Sequence, residues 1–205
     1  MFRSHAWSVA MLALGLLSAS MAHAFGWAAA SVEFVSGQVR VVGKDGAARV
    51  ALTHSRIFSG ETIATGRDAR VALRFSDGGS FVLQPDTRLR IDDYRYSGRV
   101  DGGERSYVSL IKGGLRAVTG AIGRKAKQNF RVITPTATIG VRGTQYSIRY
   151  TSSLVASVSD GEIQLCNGGG CRTAVRGEAY YVPAPDAEPI LVTGPDALRT
   201  PVPIP

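Results

Sequence analysis

Between Ser31 and Val182 apolar and polar residues alternate in short runs, and this period of two most limits what the chain can fold into. In Ala69-Arg70-Val71-Ala72-Leu73-Arg74-Phe75 the odd positions are apolar, while Arg70 and Arg74 fall on the other side. The same period recurs in Thr87-Arg88-Leu89-Arg90-Ile91 and in Gln145-Tyr146-Ser147-Ile148-Arg149-Tyr150. Successive side chains of a strand point to opposite faces, so runs of this kind make strands with one buried face. Turn formers separate them: Asp45-Gly46, Asp77-Gly78-Gly79, Asp101-Gly102-Gly103 and Asp160-Gly161. No run in this region keeps a 3.6-residue period over ten residues. The expectation is a single all-β domain.

A turn-plus-strand unit also echoes along the chain. Gly37-Gln38-Val39-Arg40-Val41 resembles Gly161-Glu162-Ile163-Gln164-Leu165, with Gly114-Leu115-Arg116-Ala117 as a fainter copy. Such copies suit a solenoid-like fold of wound antiparallel sheets. Their irregular spacing suits independent hairpins equally well, and both readings stand. Residues 92–106 are polar and glycine-rich, which predicts a long exposed loop or an extended hairpin tip.

The N-terminus differs in kind. Arg3 is its only early charge, an apolar core runs from Val9 to Leu17, and the segment ends in Ala22-His23-Ala24. This is the pattern of a secretory signal peptide over residues 1–24, cleaved to leave Phe25 first. An uncleaved anchor is the competing reading, but Gly15, Ser18, Ser20, His23 and Gly26 dilute the stretch. A spanning helix wants about 20 strongly apolar residues. No later segment is long and apolar enough to span a bilayer. The expected location is therefore periplasmic or secreted. The organisation expected is 1–24 signal, 25–182 β domain, and 183–205 an extended tail that holds seven of the nine prolines, with a possible strand at Ile190-Leu191-Val192.

Export alters what charge and cysteines mean. The chain has 24 basic and 16 acidic residues, and loss of Arg3 with the leader leaves about +7. A basic protein in the cytoplasm suggests nucleic acid; outside it, anionic envelope components or an acidic protein face are the expected partners, with no nucleic acid. The only cysteines, Cys166 and Cys171, flank Asn-Gly-Gly-Gly. In an oxidising compartment that pair reads as a disulfide stapling a hairpin. Structural zinc would usually need four ligands, and His54 is the one histidine beyond the leader.

The most distinctive stretch is Phe130-Arg131-Val132-Ile133-Thr134-Pro135-Thr136-Ala137-Thr138-Ile139-Gly140-Val141-Arg142-Gly143-Thr144-Gln145-Tyr146-Ser147-Ile148. It reads as a strand, a turn closed by proline, a second strand, a glycine kink, and a third strand with Tyr146 and Ile148 facing inward. This stretch resembles the hallmark segment of the FecR domain family, centred on Thr134-Pro135 and Val141-Arg142-Gly143-Thr144. Gly37-Gln38-Val39, Ile57–Gly66, Ala69–Leu83 around Ser76-Asp77-Gly78, and Ile111–Leu115 are similar to further blocks of that family. The resemblance spans about residues 32–182.

Full-length regulators of this family join three parts: a cytoplasmic segment acting on a sigma factor, one membrane helix, and a periplasmic FecR domain. That domain is signalled by an outer-membrane TonB-dependent receptor. With a leader at residue 1, the expectation is that this chain does not itself touch a sigma factor, while the fold and the habit of protein contact carry over. Thr134, Pro135, Val141, Arg142, Gly143 and Thr144 are expected to serve structure, with Gly143 in a backbone conformation other residues resist.

Charge is also laid out unevenly. Between Glu104 and Asp160 there is no acidic residue but nine bases. Lys112, Arg116, Arg124, Lys125, Lys127 and Arg131 form the candidate patch for an anionic partner, against the plainer reading of solvated strand faces. Gly123–Gln128 is expected as the loop that concentrates three of them. Nothing points to catalysis. His54 sits in Thr53-His54-Ser55 with no nucleophile elbow around any serine, no pair of acids stands out, and no phosphate-cradling loop occurs. The expectation is a binding module without cofactors or metal. Signal relay with a separate membrane regulator, or a structural or adhesive surface role, are the alternatives.

Overall fold

The computed structural model describes residues 27–192; the leader 1–24 and residues 193–205 of the tail lie outside the described residues. The strands come in chain order as β1 (Ala30–Ser36), β2 (Val39–Val42), β3 (Ala48–Val50), β4 (Arg56–Ile57), β5 (Thr62–Thr65), β6 (Arg70–Phe75), β7 (Ser80–Leu83) and β8 (Arg88–Arg95). The long β9 (Arg105–Val118) is followed by a one-turn helix α1 (Ala121–Lys125) and a 3₁₀ turn, Lys127–Asn129. Then come β10 (Phe130–Ile133), β11 (Thr138–Tyr150), β12 (Leu154–Asn167), β13 (Gly170–Val175), β14 (Ala179–Val182) and β15 (Ile190–Val192). The expected all-β domain is there, as one wound mixed sheet. Its pairings are antiparallel except β9 with β10, which run parallel from Phe130 opposite Ser106 to Ile133 opposite Ser109.

Alternation explains which residues are inside. In β6 the pattern buries Val71, Leu73 and Phe75 and leaves Arg70 and Arg74 in water. In β11 it buries Tyr146 and Ile148 and exposes Arg149. One hydrophobic cluster collects these side chains from nearly every strand, including Phe81, Leu83, Leu115, Ile139 and Ile163. Each such fully buried aliphatic or aromatic side chain is worth roughly 1.5–3 kcal/mol, so the core sets the register of every strand that feeds it.

Three long strands serve two half-sheets each. The first part of β9, Arg105–Lys112, pairs with β8. Its last part lies between β7, from Leu115 to Val118, and β11, from Gly113 to Val118. β12 pairs with β14 through Leu154–Ser157 and with β13 through Glu162–Asn167. The β11–β12 ladder breaks between Arg142–Glu162 and Gln145–Asp160, and the two strands bend there together. Gly143 has φ +62° and Gly161 φ +78° at that bend. A Cβ on Gly161 would stand 2.5 Å from the Gly143 carbonyl oxygen and 3.0 Å from Thr144 Cα.

One segment differs from expectation. Gly123–Gln128 is not a loop: it lies in α1 and the 3₁₀ turn. One helical turn is too short to show a 3.6-residue period, and its cap comes from far away. The Ala121 and Ile122 N–H groups donate to the Asp77 carbonyl (2.9 Å) and Asp77 Oδ2 (3.1 Å). Past Val182 the sheet continues, and the strand expected at Ile190-Leu191-Val192 is present. The Asn167 amide donates to the carbonyls of Ala184 (3.1 Å) and Ala187 (2.7 Å), and β15 pairs with β14 at Ile190–Val192. Cys166 and Cys171 form a disulfide directly opposite one another in the β12–β13 hairpin, Cα atoms 4.1 Å apart. Residues 92–106 are a hairpin between β8 and β9, with a tip shorter than expected.

Gly161→Ala should cost about 2–4 kcal/mol in denaturant unfolding, because strain and overlap add. Gly46 has φ +82° but open space around its Cβ direction, so Gly46→Ala should lose only the conformational part, about 1 kcal/mol. Equal losses would mean the close approach at the bend carries no weight. Tyr146 is fully buried and its hydroxyl has no hydrogen-bond partner; burial pushes its ionisation far upward. Tyr146→Phe should therefore leave the unfolding free energy unchanged or raise it by at most about 1 kcal/mol; a marked fall would reveal a partner for the hydroxyl.

Candidate functional site

The six motif residues lie where chains turn or cross. Thr134 closes the β10–β11 turn, its hydroxyl donating to the Ala137 carbonyl (2.8 Å) and accepting from the Ala137 N–H (3.0 Å), with Pro135 exposed at the corner. Val141 is buried against Gly123 of α1. The Thr144 hydroxyl accepts from the Arg142 N–H (3.1 Å) and donates to the Glu162 carbonyl (2.6 Å), bridging the broken β11–β12 ladder. Thr144 N–H donates to Thr119 Oγ1 (2.8 Å), and Thr119 N–H donates to the Thr144 carbonyl (3.1 Å). Arg142 pairs with Glu162 at 2.9 Å. Each of these polar contacts is made within the chain.

Within the family-like Ile57–Gly66 block, the Glu61 carboxylate accepts from Arg49 Nη1 (2.5 Å) and Nη2 (2.9 Å) and from the Phe58 N–H (2.9 Å). This partly buried fork ties β3 to the turn before β5. The hydrogen bonds that it donates to Glu61 hold the Arg49 guanidinium above its ordinary range. His54, by contrast, is an exposed turn residue with φ +68°, and no cluster of three or more His, Cys, Asp or Glu side chains could hold a metal among the described residues.

The six candidate cations are distributed over several places. Arg116 projects from the outer face of β9. Lys112 borders a cleft of about 590 Å³ with Arg70, Arg149 and Asp86. Arg131 lies over the Tyr107 ring, 5.5 Å from its centroid. Arg124 donates to the Thr119 carbonyl (2.6 Å), Lys125 is exposed in α1, and Lys127 stands beside Arg142 and Glu162. Strand register decides this: residues close in sequence fall on different half-sheets, while Arg70 and Arg149 arrive from elsewhere.

What the register does assemble is a basic outer sheet face. One row across it runs Phe34, Ala72, Val82, Arg116, Ser147 and Ser157. The neighbouring row carries Arg74, Ser80, Val118 and Gln145. Small residues keep the face flat, and Phe34 (57% exposed), Val82 and Val118 place apolar surface among the arginines. Arg74 is paired with Glu33 at 2.8 Å, while Arg70, Arg116 and Arg149 carry the excess positive charge toward the Lys112 cleft. Apolar side chains and arginines thus share this face. Arg70 and Arg149 escaped the sequence reading of the patch. Alternation marks each as outward-facing, but only pairing brings them to Lys112.

The FecR protein family's defining pattern matches residues 61–164, just over half of the chain. The chain belongs to the FecR family. Among solved structures, two crystal structures of a "putative anti-sigma factor" from Parabacteroides distasonis ATCC 8503, at 1.65 and 2.50 Å resolution, are similar to it. Each is 17% identical with a TM-score of 0.51, covering 64% of this chain and 58% of theirs. This chain thus spans under two-thirds of their length, and at that identity the likeness concerns the fold. A comparison with curated proteins gave no match.

The β8–β9 hairpin tip carries a pH-dependent contact. The buried Glu104 carboxylate accepts from the N–H groups of Gly102 (2.7 Å) and Asp101 (3.0 Å) and lies 3.4 Å from Asn129 Nδ2. Its own backbone N–H first, then those of Gly102 and Asp101, hold its carboxyl below the usual range. A depressed carboxyl stabilises the fold above its unfolded value, about 4.3, and loses that effect as pH falls through the folded value. Amide-exchange protection factors at Asp101 and Gly102, corrected for the intrinsic rate at each pH, should therefore fall as pH drops below about 4. Glu104→Gln should flatten that dependence; an unchanged profile in the variant would exclude Glu104 as its source.

Proposed function

We propose that this chain is an exported, non-catalytic binding module whose basic outer face docks an acidic protein partner in the periplasm or outside the cell. The observation carrying this reading is the convergence of Arg70, Arg116, Arg149 and Lys112 around exposed Phe34, Val82 and Val118. Charge of one sign steers a partner and sets specificity, and the apolar centre supplies contact area. The sequence pattern of residues 1–24 supports the exported location. Signal relay with a separately encoded membrane regulator is the second reading. It is favoured by family membership and by the anti-sigma-factor naming of the two similar structures.

Chemical cross-linking in intact cells tests the face. The wild-type chain should give a defined adduct in the envelope fraction, with the partner's acidic surface at the cross-link. Combined Arg70→Glu, Lys112→Glu and Arg149→Glu should reduce adduct yield about tenfold or more, since each reversal replaces attraction by repulsion. Arg176→Glu, an exposed change away from the face, should not. Equal yields from the triple variant and the wild type would defeat the proposal, and a membrane regulator as the adduct would select signal relay.

A further inference from the structure

A second concavity, away from the basic face, has a different chemistry. It measures about 610 Å³ and lies between the start of β1, the β4–β5 turn and the β8–β9 hairpin. Four aromatic residues line it: Trp27, Phe58 and Tyr96 on the walls and Tyr94 at the floor. Trp27 is 88% exposed, so almost all of its indole meets water. Phe58 carries the Arg56 guanidinium 5.6 Å from its centroid, and Tyr96 packs against the core. Deeper in the cleft, Tyr94 is buried, its hydroxyl accepting from the Asp77 N–H (2.9 Å) and Ser76 Oγ (3.1 Å). Burial, reinforced by the Asp77 charge, pushes its ionisation upward, which keeps it neutral. The floor is therefore built and the aromatic walls are open.

Charged heads sit among these rings. Lys44, Arg95 and Arg105 line the cleft against the single carboxylate Asp93, which is paired with Arg105. The Lys44 stem is laid across Gly60: a Cβ there would meet Lys44 Cε at 1.8 Å. Tyr94 N–H donates to Ser59 Oγ (2.9 Å), and Ser59 Oγ donates to the Tyr94 carbonyl (3.2 Å), which pins the β4–β5 turn to β8.

We infer that this cleft binds an oligosaccharide bearing carboxylates, its sugar rings stacked on Trp27, Phe58 and Tyr96 and its acid groups held by Lys44 and Arg95. Three arguments select that class. A purely apolar ligand would strip water from the charged heads without replacing their hydrogen bonds. A simple anion would leave the rings in water. A sugar has an apolar C–H face, weakly positive, that suits the negative face of an aromatic ring, and a rim of hydroxyls that bond to charged groups. The three-to-one excess of cations then favours acidic sugars over neutral ones. The volume lies in the usual range of ligand sites, about 300–1,000 Å³. This inference does not rest on the docking face.

The chain has two tryptophans, Trp7 and Trp27, so in a Trp7→Phe protein the fluorescence reports on Trp27 alone. Titration with a hexamer of galacturonic acid should give a saturable shift, and cellohexaose, a neutral hexamer, should bind about tenfold more weakly or less. Calorimetry on Trp27→Ala should show about a tenfold loss for the acidic hexamer, with an unchanged melting temperature because the side chain is exposed. Arg95→Gln should weaken the acidic hexamer and leave the neutral one unaffected. No saturable change with either sugar, equal affinity for the two, or full affinity in Trp27→Ala would each overturn the inference. The titration contains no partner protein, so its failure would leave the docking proposal standing.

Discussion

The bend at which β11 and β12 pass together from one half-sheet to the other is the constraint on which the rest of the fold depends. The β11–β12 ladder breaks at this bend, and the break is bridged by one hydroxyl. Thr144 accepts from the Arg142 N–H and donates to the Glu162 carbonyl, so backbone groups that lost their ladder partners are satisfied inside the core. Gly143 and Gly161 take left-handed conformations, and the second leaves no room for a side chain against the first. Thr119 carries the same junction to the end of β9. The Val-Arg-Gly-Thr core of the family pattern is thus the hinge line of the wound sheet. Its position places Arg149 on the outer face and Arg142 beside Lys127.

Asp77 holds the other end of that junction. From a turn between β6 and β7 it caps α1, closes its own turn through the Gly79 N–H, and gives its N–H to Tyr94. A Cβ on Gly120 would lie 2.3 Å from the Asp77 carboxylate, so α1 starts where it does because only glycine fits. This one acid couples the helix beside the bend to the floor of the aromatic cleft. The basic face and the cleft lie in different parts of the molecule and suit different chemistry: broad contact with an acidic surface in one case, a confined ring-stacking ligand in the other.

Much of the fold was legible because β-structure writes itself locally. Alternation marked Val71, Leu73 and Phe75 as buried and Tyr146 and Ile148 as inward-facing, and each of these runs is fewer than ten residues long. The Cys166–Cys171 hairpin was legible for the same reason, since its loop chemistry and covalent link lie within six residues. The helix was not, because its cap, Asp77, is more than forty residues away and a single turn has no period. The candidate site was the least legible part. Lys112 and Arg116 were visible as cations, but Arg70 and Arg149 join them only through the β6–β7–β9–β11 register, and Trp27 and Tyr96 come to line one cleft only after the chain has folded back on itself.

Residue order alone therefore carried the buried faces of the alternating strands, several of the turns, the disulfide and the family. These are properties of neighbouring residues, set by the two-residue period and by backbone sterics. The tertiary structure alone decided which strands are neighbours, that β9 and β10 run parallel, and which charges and rings share a surface. Those depend on pairings between residues tens of positions apart, chosen because the assembled core buries the most apolar surface, and no local pattern contains that sum.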